Sequence, residues 1–231
     1  MSLKTSNLPF KARVDHEVHN TIMRKAVVKA QETIGANRQK MVDELGHWEE
    51  WRDLSKQIRN HVLANLDAYL YQLSEKVMEN GGKVYFAETA EEASAYIRKV
   101  ALEKNAKKIV KSKSMVTEEI GLNEVLEKEG MQVIETDLGE YLLQISGDKP
   151  SHIVVPAIHK DRHQIRKDLS EKLGYEGEET PEDMTRFVRE KIRQDFLEAD
   201  IGISGCNFAV AETGSVCLVT NEGNLRLATT L

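Results

Sequence analysis

The sequence predicts an α/β protein: a layered, mostly parallel sheet with a terminal β-hairpin, preceded by two long α-helices. Three observations predict it. From residue 83 onward short apolar runs alternate with amphipathic segments long enough to cross over between parallel strands. The stretch Ile201 to Thr220, IGISGCNFAVAETGSVCLVT, is rich in β-formers, and its alternation on either side of Thr213-Gly214 reads as a hairpin. Before residue 80, apolar residues recur at three- and four-residue steps with no strand signal.

Taken in order, Val14, Val18, Ile22, Ala26, Ala30 and Ile34 mark one long helix from Val14 to Leu45, with a break expected at Gly35. Trp51, Leu54, Ile58, Val62, Leu66, Leu73 and Val77 mark a second from Trp48 to Asn80, ended by Gly81-Gly82. The two are expected to pair and to pack on the domain or on a partner. Lys83 to Ala87 reads as the first strand. Thr89 and Glu92 form a capping signature for the helix that follows. Lys107 to Lys111 is the second strand, followed by a helix to Glu129 broken near Gly121. Met131 to Glu135 is the third. Asp137 with Glu140 caps a short helix to Ile145, and His152 to Pro156 is the fourth strand. Two further helices fill 157 to 199, the second opened by Thr180-Pro181-Glu182-Asp183. Asn224 to Leu231 reads as a last strand, and its abrupt stop leads us to expect a fragment of a longer protein. The division expected is a helical region, 1–80, and an α/β domain, 81–231.

Composition excludes several classes. With 40% hydrophobic and 30% charged residues and a net charge of -6, the chain has the balance of a globular protein without a basic surface for nucleic acid. No run approaches the roughly 20 apolar residues of a membrane span, and no signal peptide opens the chain, so a cytoplasmic setting is expected. The two cysteines, Cys206 and Cys217, match no metal spacing and read as small core residues. His16 with His19, and His159 with His163, have helix-compatible spacing but lack a third ligand nearby, so no metal is expected.

Two constellations have the chemistry of a ligand site. Lys111, Ser112, Lys113 and Ser114 lie where a parallel strand hands over to a helix, a place suited to a phosphate or carboxylate, although a solvated loop with a serine cap fits equally. Asn207, Glu212, Thr213, Gly214 and Ser215 place an amide, a carboxylate, hydroxyls and a flexible glycine in or beside the hairpin turn, where an ordinary polar turn is the competing reading. His159, after the fourth strand, is a further candidate contact to an anion. If both loops share one edge of the sheet, they surround a single cleft for a small anionic ligand. No nucleophile elbow, zinc-protease motif or phosphate-binding glycine loop is present.

The runs KSKSMVTEEIGLNEVLEKEGMQVIETDLGEYLLQI, PSHIVVPAIHKDR and GISGCNFAVAETGSVCLVTNEGNLRL resemble the LUD-domain family of lactate-utilisation iron–sulfur proteins. The resemblance covers three quarters of the chain or more. It implies a bacterial, cytoplasmic component of an L-lactate-oxidising system that passes electrons together with sister proteins, and a sheet-centred fold like that of ribose-phosphate isomerases and CoA transferases. It also implies [4Fe-4S] clusters held by cysteine motifs in a further C-terminal segment. Neither Cys206 nor Cys217 matches a cluster ligand, so no cofactor is expected in these residues. The other functional class is a stand-alone CoA-transferase- or isomerase-like enzyme that uses Glu212 as nucleophile or base. Packing of the N-terminal helices on the α/β domain or on a second copy, as a homo-oligomer, is expected.

Overall fold

The computed structural model of the chain describes residues 8–151, 155–220 and 222–231. Four helices come first: α1 (Phe10–His19), α2 (Thr21–Leu45), α3 (Trp48–Ala64) and α4 (Leu66–Glu79). There follow α5 (Ala90–Glu103), β1 (Lys108–Lys111), α6 (Met115–Glu119), α7 (Leu122–Glu127), β2 (Gln132–Glu135), α8 (Leu138–Ser146), α9 (Arg162–Leu173) and α10 (Pro181–Glu198). The chain finishes with β3 (Ile201–Ile203), β4 (Phe208–Val210), β5 (Ser215–Cys217) and α11 (Asn224–Thr230). These elements form two compact units, one from Met1–Val27, Ala87–Gly205 and Val219–Leu231, the other from Val28–Phe86 and Cys206–Leu218.

In the first unit β1 is central, paired in parallel with β2 on one side and β3 on the other. Alternation along each strand sends neighbours to opposite faces. Ile109 and Val133, opposite each other in register, pack with Ala101, Leu122 and Leu126 from α5 and α7. Val110 and Ile134 point the other way, into a larger cluster with Leu142, Leu169, Val188 and Phe196 from α8, α9 and α10. Each such side chain contributes roughly 1.5–3 kcal/mol by leaving water. Asp200 fastens the start of β1, its carboxylate accepting from the N–H groups of Lys107 and Lys108 at 2.7 and 3.0 Å.

Local chemistry explains several helix starts in the first unit. Thr89 accepts from Glu92 N–H, and the Glu92 carboxylate reaches back to the N–H of Glu88. Asp161 makes a reciprocal capping box with Gln164, and Thr180 caps α10 before Pro181. Gly121, with φ of 64°, separates α6 from α7 where the break was expected. In the second unit β4 and β5 form the antiparallel hairpin, Phe208 opposite Cys217 and Val210 opposite Ser215. Gly214 turns it at φ of +70°, and a Cβ there would lie 2.6 Å from the backbone carbon of Lys76, so only glycine lets the turn rest on α4. Asn80 adds a bond to the Thr213 carbonyl at 2.9 Å.

Several expectations are corrected. The first long helix is interrupted at Asn20 and not at Gly35, which α2 crosses unbroken; the second is divided at Asn65. Lys83 to Ala87 forms no strand: among the described residues no strand pairs with it, and Val84, Tyr85 and Phe86 are exposed. Of His152 to Pro156, residues 152–154 lie outside the described residues, and Val155 and Pro156 occupy a bend and a turn. Asn224 to Thr230 is helix α11 and not a strand. Leu225 and Ala228 are a helical step apart, and Ala228 presses on β3 where Gly202 has no side chain. The cysteines are exposed, not core residues.

Candidate functional site

Parallel register makes Lys111 and Glu135 neighbours at the last positions of β1 and β2. Both are buried on the side of the sheet that carries α6 and α7. The Lys111 ammonium lies 2.7 Å from Glu135 Oε1 and 2.8 Å from Glu118 Oε1, and donates to Thr117 Oγ1 at 3.1 Å. Asn123 donates to the same Glu135 oxygen at 2.6 Å. Burial alone depresses the lysine, but the two carboxylates outweigh it and hold the ammonium above its usual range. Burial pushes the Glu135 carboxyl up, against the pull of Lys111.

Beyond the strand ends the chain's own groups fill the edge. Thr136 bonds the Lys111 carbonyl through both its N–H and its hydroxyl, at 2.9 and 3.0 Å, and receives Asn224 Nδ2 at 3.3 Å. Asp137 accepts from the N–H groups of Gly139 and Glu140, and Glu222 accepts from that of Leu138 at 3.1 Å. The N-terminus of α8 is therefore already occupied by two carboxyl groups. Glu222 is raised by burial, with Asp137 adding to the effect. Glu140, in the first turn of α8, is buried and raised to about 8, first by burial and then by Glu135 and Asp137.

The candidates from sequence fall into separate groups. Lys111 is engaged by protein carboxylates. Ser112 is fully buried, with its N–H bonded to the Ile203 carbonyl, and Ser114 caps α6. Lys113 keeps about a third of its side chain in solvent, 3.8 Å from Asp137. His159 bonds Ser151 at 2.7 Å and lies 4.0 Å from Asp148; burial pushes its imidazole below the ordinary range. Beside it Lys160 is clamped between Asp148 and Asp168, each at 2.5 Å. Asn207, Glu212, Thr213, Gly214 and Ser215 belong to the second unit, Glu212 exposed and the Thr213 hydroxyl donating to Ser215 at 3.0 Å. The sequence marks Glu135, Glu140, Glu222 and Asn224 only as parts of elements or not at all, and none as a site residue. A glutamate ending an apolar strand, and a second one inside the apolar run LGEYLLQI, were the available signals.

Among the described residues no group of His, Cys, Asp or Glu is arranged to hold a metal ion. A [4Fe-4S] cluster needs four thiolates, and the chain has two cysteines, both exposed in the hairpin segment, so the residues present do not fit one.

Fold and site together define an α/β protein with its polar centre at the carboxyl edge of a parallel sheet. The LUD domain matches residues 70–231, and the chain belongs to that family. It is 73% identical over 231 residues to the "Uncharacterized electron transport protein YkgF" of Escherichia coli K12, covering all of this chain and 49% of the relative. It is 61% identical over 232 residues to "Lactate utilization protein B" of Bacillus subtilis 168, and 59% identical over 227 residues to the protein of that name in Bacillus cytotoxicus. These cover 100% and 98% of the chain, and 48% of each relative. The chain thus spans about half the length of the curated relatives it matches. No solved structure matches it.

Proposed function

We propose that this chain is part of a bacterial L-lactate-oxidising system, where it forms the LUD-type portion of an electron-transferring subunit and acts with sister proteins of that system in the cytoplasm. The observation that supports this most is the identity of 59–73% over nearly the whole chain to relatives named for lactate utilisation or electron transport. The sequence, as distinct from the two compact units of the fold, divides in this proposal into a helical region, 1–80, and a LUD-type domain, 81–231. On this reading the [4Fe-4S] clusters reside in a further segment of a longer polypeptide, and the α/β domain serves as docking or ligand-binding scaffold. Within the first unit, Lys113 at the sheet edge is the accessible contact for a small anionic ligand, Lys111, Ser112 and Ser114 order its loop, and His159 lines a separate turn; Asn207, Glu212, Thr213, Gly214 and Ser215 belong to the hairpin of the second unit. Among the described residues no helix is long and apolar enough to cross a membrane.

The experiment is an in-frame deletion of the coding region in its host, followed by growth on L-lactate and on glucose. Loss of growth on L-lactate alone, restored by the wild-type gene and by a Glu212→Gln copy, supports the proposal. Unimpaired growth on L-lactate contradicts it. Restoration by wild type but not by Glu212→Gln favours the CoA-transferase-like reading, in which that carboxylate does covalent chemistry.

A further inference from the structure

We propose that Glu140 is the proton-carrying member of a buried carboxyl pair with Glu135, and that loss of its proton releases the first turn of α8 from the end of β2. This is a pH-sensitive switch built into the carboxyl edge of the sheet.

The geometry carries the argument. Glu135 and Glu140 keep only 3% and 7% of their surface in solvent. Each has one carboxyl oxygen, Oε2, that is buried and receives no hydrogen bond from the protein. A carboxylate left in that state forfeits several kcal/mol of hydration, and the cheapest remedy is to bind a proton. Lys111 is the cation that acts most strongly on Glu140, and it is already shared by Glu135 and Glu118, while Lys113 lies 3.8 Å from Asp137. The charged groups that act most strongly on Glu140 are Glu135 on β2, Asp137 at the cap of α8, Lys111 on β1 and Glu118 on α6. Three of these four are acids. Glu222 adds another acid at the Leu138 N–H, beside Asp137. Helix α9 meets α8 in the apolar cluster through Leu169 and Ile165. Among the described residues, the cation that acts most strongly on a charged Glu140 is thus one already committed to two other carboxylates.

The direction follows from the two protonation states. In the folded chain Glu140 holds its proton up to about pH 8, whereas in the unfolded chain it gives it up near the ordinary carboxyl value of 4.5. Folding binds a proton between these limits, so this group's contribution to stability is full below the unfolded value and is lost as pH rises through about 8. Above that the proton goes to solvent, and a second negative charge stands beside Glu135. The first turn of α8, Leu138 to Tyr141, is the segment that relieves the repulsion, because it carries Glu140 and begins at the edge of the sheet. Its release frees Asp137 and Glu222 from the helix N–H groups and opens the edge next to Lys113.

The test uses the full chain. Infrared difference spectra between about pH 6 and about pH 9 detect the carbonyl stretch of a protonated carboxylic acid, and thermal melting follows stability over the same range. The wild type is expected to show the acid band at the lower pH and lose it at the higher. Its melting midpoint falls by about 5 °C or more across that interval. Glu140→Gln, which keeps shape without charge, removes both the band and the fall; Glu222→Gln retains the band. A wild type without the band overturns the proposal, as does a Glu140→Gln protein with the wild-type band and pH profile. Should Glu140→Gln fail to fold, loss of the wild-type band near pH 8 with Glu222→Gln unchanged supports the proposal, and its absence overturns it.

Discussion

Lys111 serves this fold as a counter-ion, and that role shapes the chemistry around it. A fully buried ammonium with two carboxylates and a hydroxyl has no donor direction left for a ligand. Lys111→Ala leaves Glu135 buried without its cation, and we expect a loss of about 3–5 kcal/mol in urea unfolding. Lys111→Met combined with Glu135→Leu should recover most of that loss, because a well-packed apolar pair replaces the ions. Equal losses in the single and double variants would refute the counter-ion role. Lys113→Ala, on the solvent side of the same loop, is expected to change stability by less than about 0.5 kcal/mol. The sequence made the loop's lysines and hydroxyls visible, but not which lysine turns inward. That depends on Glu135, brought alongside only by the register of two parallel strands.

At the scale of the element, two glycines decide how pieces join. A Cβ on Gly202 would stand 1.7 Å from the Ala228 carbonyl oxygen, so Gly202→Ala must push α11 off β3. Gly214→Ala meets the α4 backbone and also strains a positive φ. Each is expected to cost about 1–3 kcal/mol and to lower the melting temperature, and the hydrogen exchange of α11 should rise for Gly202→Ala only. Unchanged exchange in α11 would show that the contact is not what holds it. Elements with a local signal were legible: the caps Thr89, Asp137 and Thr180, and the hairpin about Thr213-Gly214. Elements defined by their neighbours were not. KVYFA has β-forming residues but pairs with no strand among the described residues, and NLRLATTL alternates like a strand yet closes as a helix, with Ala228 against Gly202.

At the scale of the whole molecule, the buried apolar clusters belong to the first unit, while α1 to α4 contain no buried residue. Of Leu54, Ile58, Leu66 and Leu73, the residues expected to pack on the domain or on a neighbouring subunit, the first three are 46%, 55% and 41% exposed in the single chain and Leu73 is half-buried. We expect these helices to mediate self-association, so that Ile58→Glu with Leu66→Glu lowers the mass seen by light scattering; an unchanged mass would rule this out. The family assignment rests on nearly the whole chain, and the lactate role is the claim built on it. The most direct measurement is the reduction of an artificial electron acceptor driven by L-lactate, in extracts of host cells lacking this gene and in the same cells carrying it. The account predicts that the lactate-driven rate disappears with the gene and returns with it, while reduction driven by another donor such as NADH is unaffected. An equal lactate-driven rate in both extracts would contradict it.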